Sequence, residues 1–156
     1  MQGEQRERRP WTRGAPVTEH LHMDGDAAAI SAGLQHLCDL PVLADLDEDS
    51  WGSVEIALAE VLNNIAEHAY AEEPGKIDLW ITAHDRLLVF RLVDSGLPMP
   101  GEEAPVARLD LEAEAQNLPE GGFGWFLIRS LTQDLIYLRE GDRNVLSFCI
   151  NVNYRH

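Results

Sequence analysis

Hydrophobic and polar residues alternate along the chain in a way that predicts five β-strands. Residues 17–23 and 77–83 alternate with period two, which is typical of strands with one buried face. Residues 87–93 are almost continuously apolar, as expected of a central strand, and two further strands are predicted at 135–139 and 145–152. Short connections join the second strand to the third and the fourth to the fifth, so we expect each of these pairs to form a hairpin.

Helical periodicity predicts three helices between these strands. The first covers about residues 27–39, and the second covers about 51–70 with Ser50 as its N-cap. The second helix carries an apolar stripe at spacings of three and four residues: Val54, Leu58, Val61, Leu62, Ile65 and Ala69. A third helix follows a glycine-rich segment and ends near residue 132. This order predicts an α/β (α+β) two-layer sandwich, with an antiparallel or mixed, mostly antiparallel, sheet and helices on one face.

Length and charge narrow the functional classes. At 156 residues the chain suits one domain, which we place at residues 16–156 after a disordered arm at 1–15. Four of the 12 Lys and Arg residues but only two of the 27 Asp and Glu residues lie in the first 13 positions, so the rest carries a net charge of −17. Such a surface argues against nucleic-acid binding. No apolar run indicates a membrane span or signal peptide, so we expect a cytoplasmic protein.

A polar stripe lies beside the apolar face of the second helix. Glu60, Asn64 and His68 are spaced at i, i+4 and i+8 and therefore lie on one side of an α-helix. Asparagine is a poor helix former, so its presence here needs a reason. The amide oxygen of Asn64 beside a carboxylate would suit Mg²⁺, which prefers oxygen ligands. The alternative is that Asn64 only bonds the sheet or solvent.

Two further segments have the composition of ligand-binding turns. Asp94 and Gly96 follow directly on the central strand, where a carboxylate could accept a hydrogen bond from the amino group of a purine, although a simple Asp-Ser-Gly turn is the alternative. Gly121, Gly122 and Gly124 precede an apolar helix, so backbone N–H groups at the helix start could approach a phosphate. An ordinary glycine-rich helix entry is the alternative there. The proline-rich connection at 95–120 is long enough to be functional or mobile.

Taken together and in this order, the three segments resemble the nucleotide-binding boxes of the GHKL-type ATPases. The closest resemblance is to the anti-sigma-factor serine-protein kinases of bacterial partner-switching systems. The sequence EVLNNIAEHAY from Glu60 resembles the helix box, DSGLP from Asp94 the adenine box, and GGFGWFLI from Gly121 the final phosphate box. Pro98 favours this branch over histidine kinases, whereas Pro100 departs from the acidic residue that the branch often has there. The resemblance covers about residues 17–152 and implies a Bergerat-type ATP-binding fold.

The resemblance also implies cofactors and residue roles. The cofactors would be ATP and Mg²⁺, with Asn64 as the metal ligand and Glu60 orienting or deprotonating the attacking hydroxyl. Asp94 would bind the adenine amino group and Gly96 would let the base approach. The segment 97–120 would form a lid. The remaining nucleotide-binding positions would be His68, Pro98, Gly121, Gly122, Phe123, Gly124 and Trp125.

The function implied by this family is protein phosphorylation coupled to partner exchange. The kinase would phosphorylate an anti-sigma-factor antagonist of the STAS type on serine and would sequester a sigma factor or a similar regulator. The family also implies a homodimer. The alternative is a non-catalytic module that acts by sequestration only. No direct nucleic-acid or membrane partner is expected.

Overall fold

The strands and helices follow the predicted order. A computed structural model describes residues 15–99 and 123–155. The elements are β1 (Val17–Asp24), α1 (Ala27–Leu37), α2 (Glu48–Asn64), a π-helical turn (Ile65–Ala69), β2 (Lys76–His84), β3 (Leu87–Asp94), α3 (Phe123–Leu131), β4 (Gln133–Glu140) and β5 (Arg143–Asn151). The predicted arm, except residue 15, lies outside the described residues, as do 100–122.

In the described part of the chain the five strands form one sheet in the order β1-β2-β3-β5-β4, and every neighbouring pair is antiparallel. The predicted α+β class is therefore confirmed. Of the two predicted kinds of sheet, antiparallel and mixed, the sheet is antiparallel. Strand β3 is central, as its almost continuous apolar sequence predicted, and Leu88, Phe90 and Leu92 on it are buried. Both predicted hairpins are present.

One face of the sheet is buried against the helices. On β2 the residues Ile77, Leu79 and Ile81 have no exposed surface, whereas the intervening Asp78 and Trp80 on the opposite face are half-exposed. Helix α1 contacts β1, helix α2 contacts β5, and α3 packs on α2. This arrangement places one side of α2, next to the buried stripe, within reach of α3 and the ends of the central strands.

Helix α2 begins earlier than predicted. Its N-cap is Asp47, whose side chain accepts a hydrogen bond from the Ser50 backbone N–H at 2.8 Å, so the prediction of Ser50 as N-cap was wrong. The Ser50 hydroxyl instead accepts a hydrogen bond from the Asn153 backbone N–H at 2.8 Å. Glu48 and Asp49, which precede the predicted start of the helix, form its first turn, where acidic side chains stabilise the positive end of the helix dipole.

The far end of this helix is also different. Its last turn is π-helical, and the Tyr70 N–H donates to the Ile65 carbonyl at 3.0 Å. The carbonyl of Ala69 accepts a hydrogen bond from Leu97 N–H at 2.8 Å, which links this turn to the segment after β3. Such turns are rare and often occur at functional sites.

Candidate functional site

A cavity of about 360 Å³ opens beside the π-helical turn. Its volume lies within the range of small-molecule sites, and most of its walls are apolar. The walls come from α2, the π-helical turn, the end of β3, α3, β4 and β5. The lining residues are Val61, Asn64, Ile65, His68, Ala69, Asp94, Leu97, Pro98, Met99, Trp125, Tyr137, Asn144 and Leu146. Five residues assigned to the site from sequence therefore meet here: Asn64, His68, Asp94, Pro98 and Trp125.

Asp94 is the buried carboxylate of this cavity, with 5% of its surface exposed. It accepts hydrogen bonds from the Gly96 backbone N–H at 2.9 Å and from Asn144 Nδ2 at 2.8 Å, both on Oδ1. Burial raises the pKa of Asp94 above its usual range, although these two bonds and the charge of Arg139 oppose the rise. Within residues 15–99 and 123–155 no hydrogen bond reaches Oδ2, so this oxygen can accept one from a ligand.

Gly96 lies behind the cavity wall, where only glycine fits. A Cβ at this position would stand 2.3 Å from the Ala69 carbonyl oxygen, far inside van der Waals contact. The hydrogen bond from Leu97 N–H to that oxygen requires this close approach. Gly96 is not among the residues that line the cavity, so its contribution in this structure is to hold the turn after Asp94 against the π-helical turn.

The first turn of α3 lies directly on α2 at Glu60 and Asn64. A Cβ on Gly124 would stand 2.6 Å from Glu60 Oε2 and 3.8 Å from Asn64 Nδ2. The absence of a side chain at Gly124 thus provides the space that the Glu60 carboxylate occupies. Of the other members of the glycine segment, Gly121 and Gly122 lie outside the described residues, and Phe123 contributes the backbone position at which α3 begins.

The side chain of Asn64 is suited to a ligand that the protein itself does not supply. Its Nδ2 atom is buried and has no hydrogen-bond partner among the described residues. An amide group can present either its oxygen or its NH₂ group to a given point, so this end can serve a cation or an acceptor. No group of three His, Cys, Asp or Glu side chains in the described ranges could hold a metal ion. An amide oxygen presented at this point, together with phosphate oxygens and waters, would be a ligand set compatible with Mg²⁺.

His68 lies in the π-helical turn and is exposed at the edge of the cavity. The predicted polar stripe assumed an uninterrupted α-helix from Glu60 to His68. The wider turn changes the angular position of the residues after Asn64, yet His68 still reaches the cavity. Half-buried Trp125 contributes to the wall from α3.

A family model described as "Histidine kinase-like ATPase domain" matches residues 26–150, which is most of the chain. The chain belongs to this family. The resemblance seen in the three sequence boxes is therefore confirmed at the level of the family.

Several curated relatives of this ATPase domain share one name. The serine-protein kinase RsbW of Bacillus mycoides (strain KBAB4) is 28% identical over 100 residues, which cover 63% of this chain and 62% of the relative. The proteins of the same name from Bacillus cereus (strain AH820) and Bacillus anthracis (strain A0248) match to the same extent. The alignment thus spans less than two thirds of the length of these relatives. Within the described ranges no helix is long and apolar enough to cross a membrane.

Three residues of this ATPase domain that sequence analysis missed surround the Asp94 turn. Asn144 on β5 has only 4% of its surface exposed, and Tyr137 and Arg139 on β4 both donate hydrogen bonds to its Oδ1. The one sequence feature that could have indicated them is the asparagine at the start of an otherwise apolar strand. Its significance depends on contact with Asp94, 50 residues away in sequence.

Proposed function

We propose that this chain is an ATP-dependent protein-serine kinase that uses Mg²⁺. The observation that carries the proposal is the cavity in which Asn64, Asp94 and Trp125 meet, with Gly124 fitted against Glu60 beside it. The family and the names of its relatives support an ATP-binding kinase.

Adenine recognition would rest on Asp94. Its Oδ2 atom is the acceptor for the exocyclic amino group, and the apolar walls from Val61, Ile65 and Leu146 exclude water from the base. A hydrogen bond to a charged acceptor is worth about 1.5–3 kcal/mol. Guanine presents a carbonyl oxygen at the corresponding ring position, which Asp94 would repel.

Charge neutralisation at the phosphates would come from backbone N–H groups and from Mg²⁺ held through Asn64. When bound, Mg²⁺ neutralises charge on the transferring phosphate and fixes its orientation. The chain has a single lysine, Lys76, and that side chain is paired with Asp24. No lysine is therefore free to act as a phosphate clamp. The start of α3 supplies the N–H groups at Gly124 and beyond.

Glu60 would act on the nucleophile. Its carboxylate lies one helical turn from Asn64 and against the start of α3, so it can orient the serine hydroxyl of a protein substrate and accept its proton. General-base assistance of this kind contributes roughly 10²–10⁴-fold in rate. The remaining catalysis comes from positioning and electrostatic stabilisation.

The proposed partners follow from the family branch. The phosphate acceptor would be a STAS-type anti-sigma-factor antagonist, and the sequestered protein a sigma factor or a similar regulator, with the kinase acting as a homodimer in the cytoplasm. The net charge of −17 beyond residue 13 favours a partner with a basic surface and disfavours direct contact with nucleic acid.

The test is phosphate transfer from labelled ATP to partners that copurify with the native protein. Glu60→Gln should bind MgATP normally in calorimetry and lose transfer by about 10²-fold or more. Glu55→Gln on the exposed face of α2 is the matched control and should transfer at the wild-type rate. If the wild-type protein binds MgATP and the regulator but transfers no phosphate, the kinase proposal is wrong and the chain acts as a sequestration module.

A further inference from the structure

The carboxamide of Asn144 uses its full hydrogen-bonding capacity. Its Nδ2 group donates to Asp94 Oδ1 at 2.8 Å and to the Leu97 carbonyl at 2.9 Å. Its Oδ1 accepts from the Tyr137 hydroxyl and from Arg139 Nη1, the latter at 3.0 Å. A buried amide with every position satisfied has one favourable orientation, because turning it over would place its oxygen against the acceptor oxygens of Asp94 and Leu97 and its NH₂ group against the Arg139 donor.

This orientation determines which oxygen of Asp94 is available to a ligand. Asn144 and the Gly96 backbone N–H both occupy Oδ1, so the carboxylate cannot rotate without breaking two hydrogen bonds. The oxygen that remains for the nucleotide is Oδ2. Without Asn144, Oδ1 would keep only the Gly96 bond, and the carboxylate would rotate more freely about its Cβ–Cγ bond, so that no oxygen would be held toward the base.

The same side chains hold the segment that follows Asp94. Arg139 Nη1 donates to the Gly96 carbonyl at 2.7 Å, and the Tyr137 hydroxyl accepts from the Met99 backbone N–H at 3.0 Å. With the bond from Asn144 to Leu97, side chains of β4 and β5 bind three backbone groups within residues 96–99. These backbone groups have no strand partner, so the side chains determine where this part of the cavity wall lies.

We propose that Asn144 is a positioning residue for the nucleotide base: it fixes the Asp94 carboxylate and, together with Tyr137 and Arg139, ties that carboxylate to residues 96–99. The inference rests on the proposed binding of ATP in this cavity. Under this proposal, the β4–β5 hairpin takes part in base selection. A bound base would also be coupled through these side chains to residues 96–99.

Base selectivity tests the positioning role. Calorimetry compares ATP with purine riboside triphosphate, which lacks the amino group that Asp94 would bind. Wild type should prefer ATP by about tenfold or more, and Asn144→Ala should lose most of that preference. The matched control Asn151→Ala, on the same strand but exposed and outside the cavity, should keep it. An Asn144→Ala protein that binds both nucleotides more weakly with an unchanged ratio would overturn the positioning role.

Hydrogen exchange of the nucleotide-free protein tests the tie to residues 96–99. Tyr137→Phe removes only the hydroxyl, so the ring stays packed and the Met99 amide should exchange at least about fivefold faster. Unchanged exchange at Met99 would overturn the tie. If wild type binds neither nucleotide, both the proposed function and the positioning role are refuted. Hydrogen exchange at Met99 would still decide whether Tyr137 holds residues 96–99.

Discussion

The contact between α3 and α2 predicts that one added methyl group will slow phosphate transfer while leaving the free energy of unfolding almost unchanged. In Gly124→Ala the new Cβ would stand 2.6 Å from Glu60 Oε2, whereas ordinary van der Waals contact begins at 3.4 Å. The carboxylate must therefore move by about 0.8 Å. It can do so, because the obstructing atom is the end of a flexible, half-exposed side chain.

Stability should change little in this variant. Gly124 lies within α3 and has no left-handed backbone conformation, so alanine is compatible with its position. Replacing glycine by alanine in a helix is favourable by about 0.5–1 kcal/mol, which offsets the cost of moving Glu60. We expect a free energy of unfolding within about 1 kcal/mol of wild type.

Catalysis should change much more, because a displacement of about 1 Å at a reacting group can cost about 10²-fold in rate. The assay measures single-turnover phosphate transfer and MgATP affinity alongside urea denaturation. Gly52→Ala is the matched control: it lies in α2 with nothing within 4 Å of its new Cβ, and it should retain full transfer. Wild-type transfer by Gly124→Ala would refute the requirement for Glu60 at its present position.

Three further variants test other parts of the site. Asp94→Asn should lower ATP affinity by about tenfold or more, since a donor replaces the Oδ2 acceptor. Because burial raises the pKa of Asp94, ionisation of this carboxyl group destabilises the folded state of the wild type but not of the variant. In urea denaturation, the stability of Asp94→Asn relative to wild type should therefore increase as pH rises from about 4 to neutral. A difference in unfolding free energy that does not vary with pH would contradict this. Asn64→Ala should lose the Mg²⁺-dependent part of ATP affinity in calorimetry, and an unchanged value would remove Asn64 as a ligand. Tyr70→Phe should cost about 1–3 kcal/mol of unfolding free energy, because the hydroxyl bridges the Lys76 carbonyl and the Ser95 N–H; a smaller loss would mean that water replaces it.

Much of the fold could be predicted because its elements have strong local periodicity. The alternation on β2 and the apolar stripe of α2 identify faces that are buried in the structure, and both hairpins follow from short connections. The N-cap of α2 was misplaced because Asp47 and Ser50 are both good capping residues, and their roles are separated by the tertiary hydrogen bond from the Asn153 N–H to the Ser50 hydroxyl.

Only those parts of the candidate site that lie in short sequence motifs could be predicted. Asn64 and Asp94 belong to short motifs that the sequence displays directly, and the structure brings both to one cavity. The π-helical turn could not be predicted, because its link through Ala69 depends on Leu97 and on the close approach of Gly96. No local pattern encodes such a contact.

The sequence by itself determined the order of elements, the buried faces and the three motifs of the ATPase family. It did so because periodicity, capping and glycine placement act over a few residues. Tertiary structure alone decided which oxygen of Asp94 is left for a ligand, since that depends on Asn144 from a distant strand. It also decided that Gly124 makes room for Glu60, because close packing between two helices is a property of both together.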